Sequence, residues 1–166
     1  MDVKKVNLSD YNKEDVPNGE AFRIGIIHAE WNSNVTDALT EGAFNTLIEN
    51  GVKKENIDMI AVPGTFELTT AADIMLTTKS DIDALICIGC VIQGETRHFD
   101  FICDAVSNGL TNVSLKHGKP VIFSVLTTND MQQAIERAGG KHGNKGIEGA
   151  VTALKMCNLH KVLRSQ

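Results

Sequence analysis

A histidine suited to proton transfer stands at the start of a predicted amphipathic helix. His98 follows a loop that contains Gly94. Apolar residues recur after it at helical spacing, namely Phe99, Ile102, Val106, Leu110 and Val113. Near a helix N-terminus the macrodipole disfavours the protonated imidazolium, so His98 would present a neutral imidazole that can shuttle protons. The alternative is a solvated or capping histidine.

The loop before His98 has features of an anion-binding site. The first amide N–H groups of a helix lack intrahelical partners and lie at the positive end of its dipole, so phosphate is the natural occupant. The spacing of Gly89 and Gly94, in a predicted turn, imitates a P-loop, but Glu95 stands where that motif needs lysine. The sequence therefore argues against a nucleoside triphosphatase, while the loop backbone could still hold a single phosphate.

Further candidates for ligand binding lie in other predicted loops. Trp31 is the only tryptophan, and it could stack on a flat heterocycle or cover the edge of the core. Glu67, in the first turn of another predicted helix, could accept hydrogen bonds from a ligand or only complement the dipole. Arg137 and Lys145, in a glycine-rich segment, could bind phosphate or form a solvated basic loop.

The four cysteines favour structural thiols over redox or metal chemistry. Cys87 lies in a predicted buried strand, and strand geometry sends Cys87 and Cys90 to opposite faces, unlike a redox pair that opens a helix. No second Cys-x-x-Cys motif is present to complete a zinc site. We expect all of these thiols, including Cys103 and Cys157, to be buried and free, and we expect no bound metal.

The bulk composition predicts one cytoplasmic globular domain. A chain of 166 residues can bury a substantial core. A hydrophobic content of 42% with a net charge of −5 argues against disorder and against nucleic-acid binding. The sequence shows neither a secretion signal nor an apolar stretch long enough to span a bilayer, so we expect no membrane association.

The candidate catalytic and binding residues need a fold that brings them together. Residues 1–21 are predicted to be an N-terminal arm. Strands are predicted at residues 22–28, 57–62, 84–88 and 121–126. Helices are predicted at residues 36–50 and 67–77 and after His98, and a C-terminal helical region is predicted from Asp130. This alternation implies βαβ units and a parallel sheet covered on both faces. Ligands bind beyond the carboxyl ends of such strands, so the loops that follow the strands should converge.

Three ordered motifs resemble the 6,7-dimethyl-8-ribityllumazine synthase family. The resemblance covers about residues 22–159. The motifs are Pro63-Gly64-Thr65-Phe66-Glu67, then Gly89-x-Val91-Ile92-x-Gly94-x-Thr96-x-His98-Phe99-Asp100, then Arg137-Ala138-Gly139 with Gly143-Asn144-Lys145-Gly146. The resemblance implies a three-layer α/β/α sandwich with a flavodoxin-like, four-stranded parallel sheet. It also implies a single domain at residues 22–166, with an arm strand that pairs with a neighbouring subunit.

The same resemblance implies a reaction without metal or organic cofactor. 5-Amino-6-(D-ribitylamino)uracil would condense with 3,4-dihydroxy-2-butanone 4-phosphate, releasing phosphate and two waters. His98 would be the proton-transfer residue. The ribitylaminouracil site would comprise Trp31, Thr65, Phe66, Glu67, Cys90, Val91, Ile92, Phe123 and Lys145. The phosphate site would comprise Gly94, Glu95, Thr96 and Arg137. Phe123 and Lys145 correspond to positions that complete the pocket, some of them from a neighbouring subunit.

The resemblance also implies homo-oligomers. The family forms pentamers, some members build a 60-mer shell, and the ungapped segment at residues 139–146 favours the shell. Association with riboflavin synthase is a further implied partnership. Three positions depart from the family pattern: Trp31 replaces phenylalanine, Glu30 stands where arginine is common, and Cys90 replaces a small residue or threonine. A larger ring at Trp31 leads to the hypothesis that the pocket binds flavin-like rings.

Two other classes of function fit parts of the sequence. A non-catalytic flavin or lumazine carrier would keep the pocket without turnover. A flavodoxin-like electron-transfer module is allowed by the sheet pattern, although it leaves His98 and Arg137 unexplained. Because fold does not determine function, only the site can decide among these alternatives.

Overall fold

The computed structural model describes residue 7 and residues 9–165, which contain a parallel four-stranded sheet. Its strands are β1 (Ile24–Ala29), β2 (Ile57–Val62), β3 (Ala84–Ile92) and β4 (Val121–Thr128). They lie side by side in the order β2-β1-β3-β4. All strand pairs are parallel, as the alternation of strands and helices predicted.

Helices cover both faces of the sheet. They are α1 (Ser33–Glu49), α2 (Leu68–Thr78), α3 (His98–His117), α4 (Met131–Glu136) and α5 (Lys145–Arg164). Apolar residues of α1 and α5 pack on one face, whereas those of α2 and α3 form a second core on the other face. The predicted three-layer α/β/α sandwich with a flavodoxin-like sheet is therefore confirmed. No helix within the described part of the chain is long and apolar enough to cross a membrane.

Strand β3 extends four residues beyond its predicted end, which corrects the interpretation of Gly89. Gly89 does not form a turn but pairs with Val125 inside the sheet. Gly94 lies in the loop after β3, and neither glycine has a positive φ. A Cβ atom at Gly89 would lie only 2.6 Å from Oγ1 of Thr65. Gly89 is therefore required for the close approach of the segment after β2, not for chain reversal.

The predicted C-terminal helical region from Asp130 consists of two helices with a hairpin at the glycine-rich segment. A short antiparallel hairpin, β5 (Ala138–Gly140) and β6 (Gly143–Asn144), separates α4 from α5. Gly139 and Gly143 have φ values of +110° and +85°, which side-chain-bearing residues rarely adopt. The side-chain oxygen of Asn144 then caps α5 by accepting a hydrogen bond from the N–H of Gly146 at 2.8 Å. The glycine-rich segment is thus an ordered connection.

The predicted domain boundaries fall partly outside the described residues. Residues 1–6 and 8 of the predicted arm, and residue 166 of the predicted domain, are not described. Within the described part, the hydroxyl of Ser9 accepts a hydrogen bond from the backbone N–H of Asn144 at 3.0 Å. Ser9 thus contacts the start of α5 in its own chain. Pairing of the arm with a neighbouring subunit stays a prediction.

Candidate active site

A cavity opens where strands β1, β2 and β3 end. It has a volume of about 180 Å³ and is lined by Trp31, Asn32, Thr65, Phe66, Cys90, Val91, Ile92, His98 and Ile102. These residues come from the loops after β1 and β2, the end of β3 and the start of α3. Three of the four predicted loops therefore converge, because parallel strands present their carboxyl ends at one edge of the sheet. We call this cavity the His98 cavity.

Trp31 projects from the loop after β1 as an exposed ring. Asn32 adopts a left-handed conformation with φ of 60°, and its side-chain amide donates a hydrogen bond to the carbonyl of Cys90 at 3.0 Å. The indole ring packs on the backbone of Gly64, where a Cβ atom would approach it to 2.6 Å. The Trp31 residue is nevertheless 68% exposed, so it does not cover the core. The ring can therefore stack on a ligand.

The segment after β2 contributes a buried hydroxyl and an exposed ring. Thr65 is buried against Gly89, whereas Phe66 is 54% exposed at the rim of the His98 cavity. Glu67 is not among the cavity-lining residues; its Oε2 accepts a hydrogen bond from the N–H of Gly64 at 3.1 Å. Glu67 thus has the local capping contact at a helix start that was the simpler interpretation of its position.

His98 is the first residue of α3 and lies exposed at the cavity. Its backbone N–H donates to the hydroxyl of Thr96 at 3.4 Å. The predicted phosphate-binding residues Gly94, Glu95 and Thr96 are all exposed in the loop that leads into α3. The histidine and the predicted anion loop are therefore adjacent, at the positive end of the α3 dipole.

The cysteines have the environment of inert thiols, with one exception. Cys87 and Cys90 belong to the cores on opposite faces of the sheet, as predicted, so they cannot act as a redox pair. Burial raises the pKa of Cys87 to about 12 and that of Cys90 to about 11. Burial, with a smaller effect of the Asp83 carboxylate, raises the pKa of Cys157 to about 12. Cys103 was predicted to be buried but is partly exposed on α3.

The remaining predicted residues gather in a second place, between strand β4 and helix α5. A cavity of about 320 Å³ there is lined by Val121, Ile122, Phe123, Ser124, Lys145, Glu148, Gly149 and Thr152. Nη1 of Arg137 lies 2.8 Å from Oε1 of Glu148 and donates a hydrogen bond to the carbonyl of His142 at 2.6 Å. Nζ of Lys145 lies 3.2 Å from Oε2 of Glu148. We call Phe123, Arg137, Lys145 and Glu148 the β4–α5 cluster.

The predicted site residues thus form two groups within one chain. The two cavities have no lining residue in common. Strand β4 is at the open edge of the sheet, so the β4–α5 cluster faces outward beside an unpaired strand of the described chain. Sequence reasoning missed Glu148, although its position three residues after Lys145 on a helix is a spacing that brings opposite charges together.

Comparison with known proteins supplies the family. The model of the 6,7-dimethyl-8-ribityllumazine synthase family matches residues 21–161. The chain belongs to this family. A lumazine synthase of Cytophaga hutchinsonii is 59% identical over 90% of this chain and 93% of its own length. A second, from Porphyromonas gingivalis, is 56% identical over 94% of this chain and 96% of its own. A third, from Christiangramia forsetii, is 50% identical over 93% and 92%.

Proposed function

We propose that this chain is a 6,7-dimethyl-8-ribityllumazine synthase, a transferase of riboflavin biosynthesis. It condenses 5-amino-6-(D-ribitylamino)uracil with 3,4-dihydroxy-2-butanone 4-phosphate and releases phosphate and two waters. The main support within the fold is the His98 cavity, where an exposed tryptophan and an exposed histidine face one space next to a helix N-terminus. Membership of the family named for this reaction supports the same conclusion.

The aminouracil would occupy the His98 cavity. Its flat ring would stack on Trp31, whose packing against Gly64 limits the freedom of the indole before a ligand arrives. Cys90, Val91 and Ile92, at the end of β3, would contact the edge of the ring. Thr65, Phe66 and Glu67 would lie along the polar ribityl chain.

The butanone phosphate would bind with its phosphate at Gly94, Glu95 and Thr96, where backbone amides lie near the positive end of α3. Arg137 would supply a charge-assisted counter-ion. Anchoring the phosphate fixes the ketone next to the amine, which converts a bimolecular encounter into a reaction between held groups. The same contacts stabilise the phosphate as it leaves.

His98 would transfer the protons that the condensation requires. As the primary amine adds to the ketone, its nitrogen loses one proton and the carbonyl oxygen gains one. A second proton then reaches that oxygen and the nitrogen loses its second proton, so that water departs and an imine forms. Removal of a proton next to the imine then expels phosphate with the electron pair of its C–O bond. The enol that remains takes a proton at its terminal carbon, loses its hydroxyl proton and becomes a ketone. The second amine adds to this ketone, which closes the ring, and a second water leaves. A histidine can accept and return protons at each of these stages near neutral pH.

The complete site would be shared between subunits of a homo-oligomer. A volume of about 180 Å³ for the His98 cavity is below the range of roughly 300–1,000 Å³ typical of ligand pockets. The β4–α5 cluster of a neighbour would close it, bringing Phe123, Lys145 and Arg137 to the substrates. Exposed apolar residues on α3, such as Phe101 and Leu115, support association of copies.

The particular assembly extends this proposal. We propose a pentamer in which the N-terminal arm pairs with the sheet of the next subunit. A 60-mer shell and association with riboflavin synthase are the larger assemblies to test. We place the protein in the cytoplasm because Cys87 and Cys157 are buried free thiols, which persist in reducing compartments.

The experiment combines purified protein with both substrates and follows lumazine fluorescence together with free phosphate. Enzyme-dependent appearance of both products in equal amounts is the expected result. Tight binding of lumazine with no phosphate release above the uncatalysed background would contradict catalysis and indicate a carrier. Purification of a yellow protein with bound flavin but no turnover would indicate an electron-transfer module.

A further inference from the structure

Glu148 is the one acidic side chain that contacts both cations of the β4–α5 cluster within the described residues. Its Oε1 is buried and lies 2.8 Å from Nη1 of Arg137, and its Oε2 lies 3.2 Å from Nζ of Lys145. The contact with Arg137 is an ion pair whose geometry falls short of a hydrogen bond, because the guanidinium donates to the carbonyl of His142. The carboxylate thus acts on Arg137 mainly through its charge.

The cluster is partly buried, so the charge of Glu148 is only weakly screened by solvent. The side chains of Arg137 and Glu148 are only 19% and 17% exposed, and that of Lys145 is 30% exposed. Water and salt screen charges in such a setting less than at an open surface. The two cations and one carboxylate leave one net positive charge, whereas the cations alone would present two.

Other charges near the cluster do not duplicate this role. Glu136, at the end of α4, is directed to the ring of His142, with Oε2 of Glu136 3.5 Å from Nε2. Glu136 forms no ion pair with Arg137 or Lys145 within the described residues. Lys141 is exposed in the hairpin. The charge balance of Arg137 and Lys145 therefore depends on Glu148.

We propose that Glu148 limits the affinity of the β4–α5 cluster for phosphate, so that the phosphate released in the reaction leaves the site. A doubly charged phosphate would otherwise meet two uncompensated cations in a poorly screened place and be held tightly. Glu148 would act through the two cations that it contacts, as a positioning and charge-balancing residue. The inference rests on the proposed function, since it concerns the same phosphate site.

The test measures the affinity of the assembled protein for inorganic phosphate by isothermal titration calorimetry at fixed salt. Glu148→Gln keeps the size of the side chain and an acceptor oxygen but removes the charge. We expect it to bind phosphate about five-fold or more tightly than the wild type. Product inhibition by added phosphate should strengthen in parallel. A variant that only lost structure would bind phosphate more weakly, so the direction of the change is diagnostic.

Two further variants separate charge from shape and location. Glu148→Asp keeps the charge and should bind phosphate with nearly wild-type affinity. Glu136→Gln removes an equal charge that does not contact Arg137, and it should also leave the affinity nearly unchanged. Tightening by Glu136→Gln equal to that by Glu148→Gln would overturn the specific role of Glu148.

The outcomes also separate this inference from the proposed function. Suppose that the wild-type protein binds phosphate and that Arg137→Ala abolishes this binding. Unchanged or weaker binding in Glu148→Gln would then overturn only the role of Glu148. Wild-type protein that binds no phosphate, or binds it equally well in Arg137→Ala, would overturn the phosphate site itself. The role of Glu148 would be overturned with it.

Discussion

The single tryptophan and the histidine at the start of α3 differ in what they contribute to the His98 cavity. Trp31 is largely exposed, while part of its indole ring packs on Gly64. A ring that is held in place but accessible is suited to orient a flat substrate. His98 presents a titratable ring beside the predicted phosphate loop. In the proposed reaction, binding and proton transfer would belong to different side chains, so substitution should affect them separately.

Replacement of His98 by alanine should reduce turnover without abolishing it. Much of the rate would come from holding two reactive substrates together, while proton transfer by a side chain contributes roughly 10²–10⁴-fold. We expect kcat to fall by about 10²-fold, at the lower end of that range. Lumazine binding should change little. Steady-state kinetics measure the first quantity and lumazine titration the second. Complete inactivity in a folded variant would refute this partition.

The fluorescence of Trp31 should report directly on the binding of ligands that contain flat rings. Because it is the only tryptophan, titration with riboflavin should quench the protein fluorescence if the larger ring binds flavins as hypothesised. Trp31→Phe should retain lumazine synthesis while weakening riboflavin binding several-fold, by about 1 kcal/mol. Unquenched fluorescence at saturating riboflavin would count against the hypothesis.

At the scale of elements, close contacts between the strand ends fix the shape of the cavity. Thr65 sits against Gly89 of β3, and the loop that carries Trp31 continues the pairing with the end of β2 through the N–H of Glu30 and the carbonyl of Val62 at 2.8 Å. The side chains that line the cavity are thus attached to the buried sheet. Changes inside the sheet should therefore propagate to the site.

Gly89→Ala should destabilise the protein, whereas Gly94→Ala should not. The added methyl group at Gly89 would meet Thr65 at 2.6 Å and Leu68 at 3.1 Å, and such overpacking typically costs about 1–3 kcal/mol. At Gly94 no atom lies within 4 Å of the added position. Chemical denaturation of the two variants measures the difference. Equal stability of Gly89→Ala and the wild type would show that the cavity wall can move.

An ion-pair network at the opposite end of the sheet should make stability depend on pH. Burial raises the pKa of Asp58, but hydrogen bonds from Lys79 and Arg23 outweigh it and hold that pKa below the ordinary value of 3.8. The resulting stability is therefore present above pH 3.8 and is lost as the pH falls through the lower folded-state pKa.

The variant Asp58→Asn tests this network. Asp58→Asn should lower the free energy of unfolding by about 1 kcal/mol at neutral pH. Its stability should converge with that of the wild type as the pH falls below the folded-state pKa of Asp58. Denaturant titrations at several pH values measure the two curves. The exposed Glu55 provides a control, since Glu55→Gln removes an equal charge outside the network. A constant difference between Asp58→Asn and the wild type at every pH would contradict the linkage.

At the scale of the whole molecule, the predicted site residues occupy two separate places in one chain. The His98 cavity lies at the carboxyl ends of β1 to β3, and the β4–α5 cluster lies beside the edge strand. A head-to-tail ring joins unlike surfaces of successive subunits, so it can bring the two groups together at every interface. The assembly would then be a requirement for catalysis.

Mixing two defective variants should restore activity if the site is shared. His98→Ala damages only the cavity, and Arg137→Ala damages only the cluster. In rings assembled at random from equal amounts of both, roughly a quarter of the interfaces should carry both intact halves. Co-expression followed by the fluorescence assay measures the recovery. Activity no higher than the average of the separate variants would place the complete site within one subunit.

The sequence alone determined the order of strands and helices, the parallel sheet, the burial of Cys87 and the loops that converge on His98. Periodic burial leaves a local pattern, so these features can be predicted from neighbouring residues. The role of Gly89, the hairpin between α4 and α5, the separation of Arg137 from His98 and its pairing with Glu148 were decided by the tertiary structure. Each depends on contacts between distant segments or on backbone conformations that a local pattern does not specify.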